Sequence, residues 1–116
     1  MLIFRKFLFQ MTKEKIVKSG VKLTPSEALK EIVEKLGKLS HRIGVSKITE
    51  TGNDDHCLYF KVETRLGRVI GFKVYFMPEN MARMLTEKPE EMGPEDLVVS
   101  RIEEIIEETL NNNEAL

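Results

Sequence analysis

Residues 57–76 read CLYFKVETRLGRVIGFKVYF, and this stretch decides the fold. Leu58, Phe60 and Val62 alternate with more polar residues, and Ile70, Phe72, Val74 and Phe76 do the same. A period of two is that of strands with one buried face. For the two apolar sets to share a face, Val62 must oppose Ile70, Phe60 oppose Phe72 and Leu58 oppose Val74. That register leaves a three-residue loop, Arg65-Leu66-Gly67, with Gly67 where such loops require a left-handed backbone. Turn chemistry and apolar pattern lead independently to the same hairpin.

The register also sets out the opposite face. Cys57, Tyr59, Lys61 and Glu63 stand there on one strand, with Val69, Gly71, Lys73 and Tyr75 on the other, while Arg65 and Arg68 flank the loop. Aromatic rings interleaved with cations on a sheet suit single-stranded nucleic acid, because rings stack on bases and cations meet phosphates. Tyr59, Lys61, Arg65, Arg68, Lys73 and Tyr75 are therefore the candidate nucleic-acid-binding residues. Strand propensity and solubility produce the same alternation without any ligand. An N-terminal helix lying over this face would make both tyrosines ordinary packing residues. A second reading follows, a homodimeric protein-interaction or regulatory module that buries this face against a protein partner or itself.

Outward from the hairpin, Thr24-Pro25-Ser26-Glu27 is a helix start, with Thr24 capping, Glu27 reaching back and Pro25 at the first helical position. Leu29, Ile32, Val33, Leu36 and Leu39 then make one stripe at helical spacing, and the helix is expected to end between Gly37 and Ser40. A less regular strand is expected over Ile43–Thr51, followed by a turn at Thr51-Gly52-Asn53-Asp54-Asp55. After Pro78, Met81, Met84 and Leu85 recur at helical spacing, so residues 79–88 read as a short helix that Pro89 stops. Gly93-Pro94-Glu95-Asp96 opens the last helix, with Val98, Ile102, Ile105 and Ile106 inward and Glu103, Glu104, Glu107 and Glu108 toward solvent. At the start of the chain, Phe4, Phe7, Leu8 and Met11 share a helical face, so residues 1–20 read as an amphipathic helix or a partly ordered extension. The expected fold class is α+β, a three-stranded antiparallel meander packed against helices in the order α-α-β-β-β-α-α. Residues 21–110 form one domain in this reading, and residues 111–116 a loose tail.

Composition bounds the function. The chain has 116 residues, 41% hydrophobic and 32% charged, which is that of an ordinary globular protein. No apolar run approaches the roughly 18 residues of a membrane span, and Arg5 and Lys6 interrupt the apolar start. A single cysteine excludes an internal disulfide and suits a reducing cytoplasm, the expected location. Residues 1–47 hold 11 Lys and Arg against 4 Glu, and residues 79–116 hold 3 against 11 Asp and Glu. Such polarity arises either from pairing within the fold or a dimer, or from a basic surface that attracts a polyanion. The abundance of Lys and Glu also resembles thermophile composition.

One cluster has catalytic residue types. Asp54, Asp55 and His56 would supply ligands for Mg²⁺ or Mn²⁺ in a metal-dependent nuclease, the third reading. Ordinary turn chemistry explains the same residues, and successive strand residues point to opposite faces. The expectation is a non-enzymatic binding protein with no cofactor.

Overall fold

The computed structural model describes residues 10–20 and 23–112. The elements run β1 (Gln10–Lys18), α1 (Pro25–Ile43), β2 (Val45–Asn53), β3 (Cys57–Thr64), β4 (Val69–Met77), β5 (Met81–Pro89) and α2 (Asp96–Asn112). Short 3₁₀ turns at Pro78–Asn80 and Gly93–Glu95 flank β5. The strands make one antiparallel sheet in the order β1-β5-β4-β3-β2, with both helices on one side. The α+β class holds, but the sheet has five strands rather than three, and the described elements run β-α-β-β-β-β-α.

The β3–β4 hairpin has the register that its sequence dictates. Val62 pairs with Ile70, Phe60 with Phe72, Leu58 with Val74 and Cys57 with Tyr75. Thr64 and Arg68 close the loop through a 2.8 Å backbone hydrogen bond, and Gly67 takes φ +82°. Phe60 and Phe72 stack with ring centroids 5.1 Å apart and are 1% exposed. They form the centre of a core that includes Leu58, Val62, Ile70 and Val74 from the same hairpin.

Two segments read as helical are strands. Residues 81–89 are β5, where Ala82, Met84, Thr86 and Lys88 turn inward and Met81, Arg83, Leu85 and Glu87 turn outward. Met81, Met84 and Leu85 make a helical stripe, whereas the inner face of the strand sets polar Thr86 and Lys88 beside Ala82 and Met84, so apolar spacing favours the helix. A tight loop decides it: Glu79 and Asn80 have φ +66° and +59°, which turns the chain straight back along β4. The helix expected over residues 1–20 is a strand where it is described. Met11 lies in β1, which pairs with β5 over all nine residues from Gln10 to Lys18, while Phe4, Phe7 and Leu8 lie outside the described residues. Lone strands of this length are unstable in water, and β1 gains its partner from residues some seventy positions away.

The helices match their signals closely. Thr24 and Glu27 form the reciprocal capping box, and Ala28, Leu29, Ile32 and Leu36 are buried. α1 runs on past Ser40 to Ile43 and ends at Gly44, with φ +88°. α2 buries Val98, Val99, Ile102, Ile106 and Leu110 and extends to Asn112, so Asn111 and Asn112 belong to the helix and not to a tail. Glu104 and Glu108 face solvent as expected, whereas Glu103 and Glu107 turn toward the sheet.

Those two glutamates show how the charge polarity of the sequence is used. Lys13 and Lys15 on β1 approach Glu103 and Glu107 on α2 at 3.8 and 2.5 Å, and Lys88 meets Asp96 at 3.0 Å. The basic start and acidic end of the chain are joined within the fold. Among the described residues, no helix is long and apolar enough to cross a membrane.

Candidate functional site

Strand alternation and the two helices leave one face of the sheet bare of helices among the described residues. Its central rows follow from the pairing. One row reads Thr12, Glu87, Gly71, Lys61, Glu50 from β1 to β2, and the next reads Glu14, Leu85, Lys73, Tyr59, Gly52. Ile16, Arg83, Tyr75 and Cys57 make a third. A shallow groove of about 440 Å³ lies over these rows, lined by Tyr59, Lys61, Gly71, Lys73, Tyr75 and Cys57 with Glu50, Asp54 and Glu87 at its margins.

The structure divides the six residues that the sequence groups together. Tyr59, Lys61, Lys73 and Tyr75 share the outer face, and Tyr75 is 37% exposed. Arg65 and Arg68 leave it. The Arg65 guanidinium donates to the carbonyl of His41 near the end of α1, where helix carbonyls lack partners. Arg68 falls on the helix side and donates to Glu95 at 3.0 Å. Glu95 is 7% exposed and also accepts from the Thr64 hydroxyl at 2.7 Å and the Leu66 amide at 3.4 Å. Burial pushes the Glu95 carboxyl up, yet the bonds from Thr64, Arg68 and Leu66 with the Arg68 charge outweigh it and hold the group below the usual range. This knot fastens the β3–β4 loop to the start of α2.

Both tyrosines are braced by neighbours that the hairpin alone does not reveal. The Tyr59 ring lies over Gly52 of β2, so close that a Cβ there would stand 2.5 Å from ring carbons. Tyr75 receives the Arg83 guanidinium over its ring at 5.9 Å, a cation–π contact. The lysines are likewise engaged. Lys61 pairs with Glu50 at 3.4 Å, Lys73 with Glu87 at 3.5 Å, and Arg83 with Glu14 at 2.8 Å. Glu14, Arg83 and Glu87 do not stand among the sequence candidates because β1 and β5 do not read as strands, and Gly52 does not because it reads as part of the turn after β2. For Gly52 the signal was visible, since a glycine opposite an aromatic on a neighbouring strand marks a ring that folds over it.

The remaining sequence candidates have local roles. Asp54 accepts the amides of His56 and Cys57 at 2.8 Å each, a turn that ties β2 to β3. Among the described residues, no three His, Cys, Asp or Glu side chains converge into a metal-binding group. Burial raises the Cys57 thiol, with the nearby Asp54 charge adding to it, so the sulfur stays protonated at neutral pH. Met84 and Met92 are buried core, whereas Met77 is exposed on the outer face.

No family model matches the chain, and no curated protein matches it. A hypothetical protein from Helicobacter pylori, known from a crystal structure at 1.88 Å resolution, is similar with a TM-score of 0.48 and 9% identity, over 87% of this chain and 84% of that one.

Proposed function

We propose that this is a non-enzymatic binding protein that docks a protein surface onto the outer face of its sheet. One observation carries the reading: exposed apolar side chains stand on this face among charges that are already paired with one another. Four of the seven exposed large hydrophobic side chains among the described residues, Ile16, Val69, Tyr75 and Met77, stand on this face. Exposed apolar side chains gathered on one face mark interaction surfaces more often than chance solvent exposure does. Around the groove, Lys61 and Lys73 face Glu50, Asp54 and Glu87, so carboxylates outnumber cations there. A polyanion needs the opposite, a cationic track that releases counterions.

Single-stranded nucleic acid is the second reading, favoured by two tyrosines presented on the open sheet beside Lys61 and Lys73. The ion pairs there are about half exposed, a class worth only about 0–1 kcal/mol, so a phosphate competes for the lysines at little cost. Anisotropy of labelled single-stranded DNA and RNA at low salt separates the two. Protein docking expects no saturable binding below about 100 μM, the level of weak non-specific contact. Tight, salt-sensitive binding that Lys61→Glu or Lys73→Glu removes would overturn it in favour of nucleic acid. The hydrophobic dye ANS supplies the positive arm, since it reports accessible apolar surface. Native protein should bind it and Ile16→Lys/Met77→Lys should not; absence of dye binding by folded native protein removes the apolar docking surface.

A further inference from the structure

Resting on that docking reading, we infer that the occupant of the outer face is a second copy of this chain, stacked sheet against sheet. Both edges of the sheet discourage the other route to a dimer, strand addition. β1 carries Lys13, Lys15 and Lys18 along its edge, and a lysine-rich edge resists pairing. β2 departs from regular pairing between Val45 and Lys47 and again between Ile48 and Glu50, and such bulges disrupt an edge as a template.

The outer face itself is suited to its own image. It bears five cations and four carboxylates, with Lys61 beside Glu50, Lys73 beside Glu87 and Arg83 beside Glu14, and with Lys18 and Lys47 on its two edge strands. A two-fold stacking sets the same patch against itself, so a face of nearly equal and interspersed signs meets opposite charges where a one-signed face would meet repulsion. The size agrees. The strands are eight or nine residues long. Five such strands about 4.8 Å apart present on the order of 600 Å² of flat area. Roughened by side chains, that approaches the roughly 800 Å² per partner of a standard interface. Ile16, Tyr75 and Met77 supply its apolar part, with Leu85 half-buried among them.

Sedimentation from about 1 to about 100 μM, the range in which standard-sized interfaces of modest affinity assemble, tests the stacking. The mass should rise from the 13.4 kDa of one chain toward twice that value. Lys61→Glu/Lys73→Glu turns the face acidic and Glu50→Lys/Glu87→Lys turns it basic. Each variant alone should dimerise at least about tenfold more weakly than the parent, and an equimolar mixture should form a one-to-one heterodimer. Circular dichroism confirms that both fold. A parent that stays at one-chain mass throughout overturns the stacking, as does a dimer indifferent to both swaps. If the parent stays monomeric but still binds the dye at Ile16 and Met77, only the second copy is excluded and a different protein takes the face. If dye binding fails as well, the docking reading falls with it.

Discussion

The two faces of this sheet are made from one alternation, and they use their charges in different directions. On the helix side, ion pairs run between layers: Lys15 to Glu107, Lys88 to Asp96 and Arg68 to Glu95. On the outer side they run sideways, from Lys61 to Glu50, Lys73 to Glu87 and Arg83 to Glu14, each between strands of the sheet. The first set joins the sheet and its loops to the start and body of α2, and its Lys88 and Glu95 side chains are 7% and 9% exposed. The second set, all close to half exposed, adds little to the fold and leaves both signs available to a partner. Similar residues therefore act as internal fastening on one side and as an adjustable surface on the other.

The strongest way to break this contrast is through the core. Phe72→Ala should cost about 3–5 kcal/mol in urea unfolding, whereas Tyr75→Ala on the opposite face of β4 should cost under about 1 kcal/mol. Equal losses would mean that the outer face is also packed. Next in size is Glu95→Ala, which strands Arg68 and the Thr64 hydroxyl and should cost about 2–3 kcal/mol. Its pH dependence has a definite sign. The folded carboxyl lies below the unfolded value of about 4.3, so its contribution is complete above that pH and disappears as pH falls through the folded value. Glu95→Gln should flatten this acid limb of the stability profile; an unchanged limb assigns the acid sensitivity to other groups.

Gly52→Ala sharpens the comparison on the outer side. Its Cβ would meet the Tyr59 ring at 2.5 Å, and the ring, being the free end of a surface side chain, swings away. Stability should fall by less than about 1 kcal/mol, while the Tyr59 ring resonances shift in NMR spectra. Unmoved resonances would show that the ring does not rest on Gly52 in solution. Smallest of all, Lys61→Ala should change stability by no more than about 0.5 kcal/mol, because it deletes one solvent-screened pair. A larger loss, measured by the same unfolding curves, would place Lys61 among the fastening residues.

The chain states its local structure with uneven clarity. Thr24, Pro25 and Glu27 mark the start of α1 because a capping box is completed within four residues. The register from Leu58 to Val74 is readable because apolar alternation and a glycine loop impose the same pairing on neighbouring strands. β5 is not readable because Met81, Met84 and Leu85 recur at helical spacing while polar Thr86 and Lys88 share its inner face, and its neighbour β1 lies near the other end of the chain. The candidate site inherited that gap. Tyr59, Lys61, Lys73 and Tyr75 share one face as the hairpin register dictates, whereas Arg65 and Arg68 are their neighbours in sequence only.

From its residues alone the protein prescribes one hairpin, two amphipathic helices and the face on which Tyr59 and Tyr75 stand, since each rests on contacts a few positions apart. Tertiary structure alone chose strand over helix for residues 11–18 and 81–89, drew Arg68 beneath the sheet to Glu95, and paired every central cation of the outer face with a carboxylate. Those outcomes depend on hydrogen bonds and charges brought together across long stretches of chain, and such pairings become favourable only once the layers have packed.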